Sequence, residues 1–499
     1  MYDAYAAIAT PPGRSGIAVI RVSGPDAHAI GEQVFRFGPM TGERFSGHLC
    51  SDASSETMAS RSVNDLSGYQ AAFGYVVDPV TEEPIDEAVL LCFRAPHSFT
   101  GEDTVEISVH GGGEVRRQAL GACLRAGARS AEPGEFSRNA FLNGKLDLAQ
   151  AEAIMELIEA DTSRSAEVAL KQLQGDLSRI VRRILDTLYS IMSELELTIE
   201  YPEYEDSELD FPSVGRRIEQ VQAELAELRG GYRQGRILRH GLTVALVGPP
   251  NVGKSSLLNR LSGEERSIVT DVPGTTRDTI ELDIDLDGIP VRLIDTAGLR
   301  ESNDPVERLG VMRTHATIAE ADLIVGMIAP ATEALDHTAN WLRELPEDKP
   351  FVLVANKSDR TDFTDYFKQI RQTVLPQLTF SEIQTTCHAQ VFGKSVAPIV
   401  MSTHEAGSLK PLKDYIVALY NHWGTPSEEA VLLTSERHYN ALVKASDQLA
   451  FVTQDLAVLP LDILAQSLKA VAEQLALIIG DQVTDAVIDT VFSRFCVGK

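Results

Sequence analysis

Between about residues 241 and 423, short apolar runs alternate with longer amphipathic segments, which predicts β-α units building a largely parallel sheet. The runs are Leu242–Val247, Val291–Ile294, Leu323–Ile328, Phe351–Ala355 and Pro398–Met401. On either side the period becomes helical. Ile180, Ile184, Leu188 and Ile191 recur at steps of four, four and three, and Leu464, Leu468, Val471, Leu475 and Ile478 alternate steps of four and three. Two helical stretches around an α/β block predict one helical domain with the α/β domain inserted, because domain termini often lie close together. Two separate helical domains fit the same pattern.

The first 145 or so residues read differently, with β-branched runs at Ile17–Val22 and Val105–Val109 and Gly/Pro punctuation at Pro11-Pro12-Gly13 and Gly111-Gly112-Gly113. An α+β domain is expected there. The division is therefore an N-terminal domain over 1–145, a first helical segment over 146–240, the α/β domain over 241–423 and a second helical segment over 424–499. The acidic stretch Glu200-Tyr201-Pro202-Glu203-Tyr204-Glu205-Asp206 reads as a solvated loop.

The chain has 499 residues, enough for two to four domains at about 100–200 residues each. Its 72 acidic residues outweigh 45 basic ones, a net charge of −27, so the average surface repels phosphate backbones. Nucleic-acid contact must be local or shared with a partner. The five cysteines, Cys50, Cys92, Cys123, Cys387 and Cys496, are scattered and never form a C-x-x-C pair, which argues against a disulfide framework or a zinc site and fits a reducing cytosol. No secretory signal and no stretch long and apolar enough to span a bilayer is found, so a cytoplasmic protein without membrane attachment is expected.

Gly248-Pro249-Pro250-Asn251-Val252-Gly253-Lys254-Ser255 matches G-x-x-x-x-G-K-[ST] between an apolar strand and a helix beginning near Lys254. In such a loop, backbone N–H groups converge on a β-phosphate, Lys254 adds positive charge, and the Ser255 hydroxyl can ligate Mg²⁺. Val291–Ile294 runs into Asp295-Thr296-Ala297-Gly298, an acid followed by a glycine whose N–H can reach a γ-phosphate. Asn356-Lys357-Ser358-Asp359 follows the next-but-one strand, and its Asp359 carboxylate can accept from N1 and the 2-amino group of guanine, which adenine does not offer. GTP is thus the expected nucleotide. The polar segment Thr270-Asp271-Val272-Pro273-Gly274-Thr275-Thr276 sits where a switch loop belongs, and Thr276 is the candidate to complete the Mg²⁺ shell. Leu299 follows Gly298 at a place where many GTPases carry a water-orienting glutamine, and an aliphatic side chain has no group for that task.

Pro250 through Asn259, Gly274-Thr275-Thr276-Arg277-Asp278 and Asp295 through Arg300 resemble the bacterial GTPase group that includes Era and TrmE. The segments Ala9–Arg14, Ser98–Asp103, Pro133–Ser137, Leu146–Ala153 and Phe495–Lys499 resemble the TrmE branch, also called MnmE, and the likeness spans essentially the whole chain. It implies an α+β folate-binding N-terminal domain that dimerises, a discontinuous helical domain and an inserted Ras-like P-loop GTPase domain. The implied activity is tRNA modification together with a flavoprotein, MnmG (GidA), in a heterotetramer. FAD and NADH sit on that partner, and a 5-formyltetrahydrofolate or another tetrahydrofolate is the one-carbon donor. The product is an aminomethyl or carboxymethylaminomethyl group on carbon 5 of the wobble uridine.

The resemblance also assigns roles. Asn251, Thr270, Val272 and Thr275 fall on the family's K⁺-binding positions, and K⁺ would supply positive charge where other GTPases receive an arginine finger. Glu307 falls on the catalytic glutamate that orients water in place of the missing glutamine. The implied GTP contacts are Asn251, Val252, Gly253, Lys254, Ser255 and Ser256, the switch Thr270–Thr276, Asp295–Gly298, then Asn356, Lys357 and Asp359, and finally Ser402, Thr403 and His404. Arg21, Glu106, Lys145 and Lys499 fall on folate-binding positions, and Cys496 on a near-terminal cysteine proposed as nucleophile toward the uridine. The stretches Phe37–Gln70 and Thr373–Ala397 look longer than the family's usual ones. Two competing readings are an Era-like ribosome-assembly switch without modification chemistry and a folate enzyme with a regulatory GTPase attached. Against the switch stand the −27 charge and the lack of a G-x-x-G RNA-binding loop in a basic C-terminal domain.

Overall fold

The computed structural model describes residues 4–39, 62–201, 210–264, 266–267, 280–295, 317–330, 349–373, 398–405, 407–422, 431–456, 459–493 and 495–498. The chain divides into two compact units, residues 1–155 with 476–499, and residues 156–475.

In the first unit, strands β1 (Tyr5–Ile8), β2 (Ser15–Ser23), β3 (Phe35–Phe37), β4 (Gln70–Val77), β5 (Pro84–Phe93), β6 (Thr104–Gly111) and β7 (Arg129–Ser130) form one sheet in the order β3-β4-β5-β6-β2-β1-β7. All neighbours are antiparallel except β1 and β7. The two β-branched runs lie side by side, with Ile20 opposite Ile107 and Val22 opposite Val105. Alternation sends Ala18, Ile20 and Val22 of β2, Leu90 of β5 and Val105, Ile107 and Val109 of β6 into one core. Helices Ala27–Val34 and Gly113–Arg125 cover that side with Ile30, Val34, Ala119 and Ala122. Each large aliphatic side chain so buried contributes about 1.5–3 kcal/mol of transfer free energy.

The opposite face of the sheet carries Arg21 and Glu106, paired across β2 and β6, and the exposed apolar side chains Ile17, Phe73 and Val89. The chain's end belongs to this unit. Helix Asp485–Phe492 contributes Ile488 and Phe492 to a cluster with Leu148, Met155 and Phe495, and Val497 then makes an antiparallel bridge to Pro133. Gly498 has φ +100°, and a Cβ there would run into the Ile8 carbonyl, so only glycine lets the tail lie so close to β1.

The second unit is built on strands β8 (Leu242–Val247), β9 (Arg266–Ser267), β10 (Ile280–Leu286), β11 (Ile289–Asp295), β12 (Leu323–Ile328), β13 (Phe351–Ala355) and β14 (Ile399–Val400), ordered β14-β13-β12-β8-β11-β10-β9. Five are parallel, while β10 runs antiparallel to both β11 and β9. The apolar runs of the sequence are these parallel strands. β8 and β12 are buried along nearly their whole length, as strands covered on both faces must be.

Helix Asp176–Glu200 buries Ile184, Leu188 and Ile191 as the periodicity predicts, while Ile180 stays partly exposed and Leu177 and Val181 take the core positions above it. Helix Glu436–Asp455, which follows the α/β block, packs on Phe211–Gly230, which precedes it. The architecture is an α+β domain, a helical domain drawn from two chain segments, and a Ras-like P-loop domain inserted between them. No helix among the described residues is long and apolar enough to cross a membrane.

Candidate functional site

β8 ends at Val247, and helix Lys254–Glu264 begins after a loop whose backbone is left-handed at Asn251 (φ +64°) and Gly253 (φ +104°). Asparagine tolerates that region better than most residues. Gly253 has no alternative, because a Cβ would collide with the Asn356 side-chain amide. Lys254 is buried and donates to the carbonyls of Gly248 (2.9 Å) and Pro249 (3.2 Å). Burial pushes its pKa below the ordinary lysine range, with the Asp295 carboxylate pulling the other way.

At the end of β11, Asp295 Oδ2 accepts from the Ser255 hydroxyl at 3.0 Å. Burial raises the Asp295 pKa against the pull of Lys254 and Ser255. Its Oδ1 is a buried oxygen without a hydrogen-bond partner among the described residues. An unsatisfied carboxylate oxygen beside a serine hydroxyl is the donor set a hard divalent cation takes, so these residues fit Mg²⁺.

The Asn356–Asp359 loop closes on the Gly248–Ser255 loop. Asn356 is fully buried; its amide nitrogen donates to the Val252 carbonyl at 2.8 Å and its amide oxygen accepts from Thr403 N at 3.1 Å. Lys357 Nζ reaches the Asn251 carbonyl at 2.5 Å. The Ser402 hydroxyl donates to Asp359 Oδ1 at 2.5 Å, and that bond holds the exposed Asp359 carboxyl below its usual range. Val252, Ser402 and Thr403 are buried, whereas Ser255, Ser256 and His404 are exposed. Four stretches far apart in sequence thus converge on one site. Thr270, Asp271, Val272, Pro273, Gly274, Thr275, Thr276, Thr296, Ala297, Gly298 and Glu307 lie outside the described residues.

A second constellation sits on the N-terminal sheet. Arg21 Nε donates to Glu106 Oε1 at 2.8 Å, both side chains being about four-fifths buried. The Arg21 guanidinium lies 5.6 Å from the centre of the Phe99 ring and 5.4 Å from that of Phe136, and donates to the Gly498 carbonyl at 3.4 Å. Lys145 is exposed, and its Nζ donates to the Pro96 carbonyl at 3.0 Å. Cys496 is free and exposed, with its carbonyl accepting from Gly134 N. Lys499 lies outside the described residues. Phe99 and Phe136 escaped the residue-level reading, although both fall in segments that carried the family resemblance.

A family model described as the MnmE helical domain matches residues 148–496, and one described as the GTP-binding protein TrmE N-terminus matches residues 4–145. The chain belongs to the MnmE (TrmE) family. It is 36% identical over 498 residues to the tRNA modification GTPase MnmE of Acetivibrio thermocellus, covering 100% of this chain and 99% of that one. To the protein of the same name from Enterococcus faecalis it is 38% identical over 501 residues, covering 100% and 98%. Among solved structures, an Era variant from Aquifex aeolicus bound to GDP·AlF4⁻ is 22% identical, with 41% of this chain and 66% of that chain covered and a TM-score of 0.27.

As a member of the MnmE family the chain is a GTP hydrolase acting in tRNA modification. Its phosphate loop is preorganised by bonds from the Asn356–Asp359 loop: Asn356 fixes the phosphate-loop backbone at Val252, and Lys357 fixes it at Asn251. Lys254 spends its donors on loop carbonyls, so an arriving phosphate exchanges partners with them. When bound, Mg²⁺ would neutralise charge on the phosphate oxygens, and Ser255 and Asp295 would be placed to hold it.

Proposed function

We propose that this chain is a K⁺-activated, Mg²⁺-dependent GTPase acting with the FAD- and NADH-using flavoprotein MnmG. Together they form the 5-carboxymethylaminomethyl or aminomethyl group on the wobble uridine of certain tRNAs, in the cytoplasm. The observation that carries this reading is the presence in one chain of two built sites. One is a guanine-type nucleotide site closed by Asn356, Asp359 and Ser402, and the other is an Arg21–Glu106 pair beneath the C-terminal tail. A paired carboxylate and guanidinium beside an aromatic ring suits the pterin of a tetrahydrofolate, with Lys145 and Lys499 available for its carboxylates.

Asn251, Thr270, Val272 and Thr275 are the proposed K⁺ ligands, Thr276 joins Ser255 at Mg²⁺, and Glu307 orients the attacking water. Cys496, exposed beside this unit's Pro133-Gly134 turn, is the proposed nucleophile toward the uridine. Homodimerisation through the N-terminal domain is supported by apolar side chains exposed on the sheet among the described residues, where Phe73, Val89 and Ser108 stand in one register with Val19 and where Ile17 is 64% exposed. The domain limits read from sequence, 1–145, 146–240, 241–423 and 424–499, are kept as the functional division.

Steady-state GTP hydrolysis in potassium and in sodium, with and without the flavoprotein, tests the reading. Potassium should accelerate turnover, and Asn251→Ala should bring the two salts together while leaving nucleotide affinity largely intact. Equal turnover of the unaltered protein in both salts removes the cation from the mechanism. Loss of wobble-uridine modification in a strain lacking the chain separates this reading from a ribosome-assembly switch.

A further inference from the structure

Three strands of the N-terminal sheet bring Tyr5, Ser23 and Thr104 into one row, since Tyr5 pairs with Ser23 and Ser23 with Thr104. The next row on the same face holds Arg21 and Glu106, because residues two apart in a strand share a side. The segment Ser98–Asp103 folds over the first row. Glu102 Oε2 accepts from the Tyr5 hydroxyl at 2.7 Å and from the Ser23 hydroxyl at 3.0 Å. Ser23 Oγ lies 2.7 Å from Thr100 Oγ1 and, having given its one proton to Glu102, accepts from it. Asn139 Nδ2 donates to the Tyr5 oxygen at 2.7 Å, and Asn143 Nδ2 donates to the Thr100 carbonyl at 2.8 Å. Burial, reinforced by the Glu102 charge, raises the Tyr5 pKa, so the phenol remains a donor.

These bonds hold the segment just after Phe99, and the Ser98 hydroxyl, donating to the Glu102 carbonyl at 2.6 Å, holds it just before. Phe136, the other ring against Arg21, is fully buried and belongs to the core, whereas Phe99 is 39% exposed beside a carboxylate and a guanidinium. A large aromatic side chain kept at the surface by a bonded loop is an unusual use of hydrogen bonds unless the ring has something to cover. A planar heterocycle bound edge-on to Glu106 leaves its face uncovered, and Phe99 is the exposed ring within reach of the pair.

We propose that Phe99 is the aromatic wall of the ligand site on this face, and that the Tyr5–Glu102–Ser23 cluster positions it. The proposal rests on the folate reading above. Phe99 touches the pterin, and Glu102 and Tyr5 act through it.

The test is equilibrium binding of 5-formyltetrahydrofolate to the full chain. Phe99→Leu should weaken binding roughly threefold to tenfold, the size of a lost ring contact. Tyr5→Phe should weaken it by a similar factor in the unaltered background, but the double variant should bind no more weakly than Phe99→Leu alone. Glu102→Gln should show the same lack of additivity, and it serves where Tyr5→Phe does not fold. Losses that add, or a Phe99→Leu protein that binds as the unaltered one does, overturn the positioning role while leaving the folate site standing. An unaltered chain that does not bind 5-formyltetrahydrofolate overturns the folate reading and this proposal together, and shows itself before any substitution is made.

Discussion

The nucleotide site and the site on the N-terminal sheet are assembled in opposite ways. Most of the nucleotide site comes from short contiguous runs, each at the end of a parallel strand: Gly248–Ser255 after β8, Asp295 closing β11, Asn356–Asp359 after β13. The sheet site joins single side chains that are distant in sequence: Arg21 meets Glu106 across 85 residues and the Gly498 carbonyl across 477. A site made of backbone and loop geometry leaves a spelled-out motif, because the turn and the chemistry occupy the same residues. A site made of cross-strand neighbours leaves only scattered charges, each of which alone reads as surface.

Glu307→Ala presses hardest on the first kind of site. If Glu307 orients water where Leu299 has no polar group, hydrolysis should slow by about 10²–10⁴-fold with little loss of GTP affinity. Single-turnover hydrolysis beside nucleotide binding checks it, and near-normal turnover reassigns the role.

Asp359→Asn should act next most strongly, on selectivity. If the carboxylate accepts from guanine's N–H groups, an amide that offers a donor in its place should cut the preference for GTP over xanthosine triphosphate by roughly a hundredfold. Competition binding measures this, and an unchanged preference would move base recognition off this loop. Ser402, whose hydroxyl bonds Asp359, is expected to matter less, because its loss removes one hydrogen bond to the carboxylate and leaves the carboxylate itself.

Gly498→Ala brings the comparison to the second site. The new Cβ meets the Ile8 carbonyl from a left-handed backbone, so the tail must lift off β1 and the Arg21 contact to its carbonyl goes with it. Binding of 5-formyltetrahydrofolate should weaken about tenfold while GTP turnover holds. Calorimetric titration with the folate decides it, and unchanged affinity would show that the tail is not part of the site.

The same contrast explains what was legible beforehand. Three of the apolar runs, Leu242–Val247, Leu323–Ile328 and Phe351–Ala355, are parallel strands to the residue, because a strand covered on both faces has no polar position to blur its limits. Convergence of Ser402 and Thr403 on Asn356 and Asp359 was foreshadowed only through the family pattern, since Ser-Thr-His by itself carries no chemistry. Phe99, Glu102 and Tyr5 stayed silent because their meaning lies in register: Tyr5 opposite Ser23, Ser23 opposite Thr104. Nor did spacing place residues 476–498 with the N-terminal unit, because helical periodicity says which face is buried and not against what.

His28 offers the smallest effect and the finest probe of such register-made clusters. It is buried, with Nε2 at 3.0 Å from the Phe93 carbonyl and 3.3 Å from Cys92 Sγ, and Nδ1 at 3.4 Å from Asp103. Burial pushes its pKa below the ordinary 6.5, outweighing the Asp103 carboxylate that pulls it up, while Arg94 adds to the depression. Between that lowered value and 6.5 the unfolded chain binds a proton that the folded one does not, so stability rises with pH through the window and falls as pH drops below 6.5. Hydrogen exchange of the β5 amides near Cys92, corrected for intrinsic rates, should therefore lose protection between about pH 7 and pH 5.5. His28→Gln, which keeps a polar side chain but does not titrate, should flatten that dependence. A slope that survives the substitution would place the proton elsewhere in the unit.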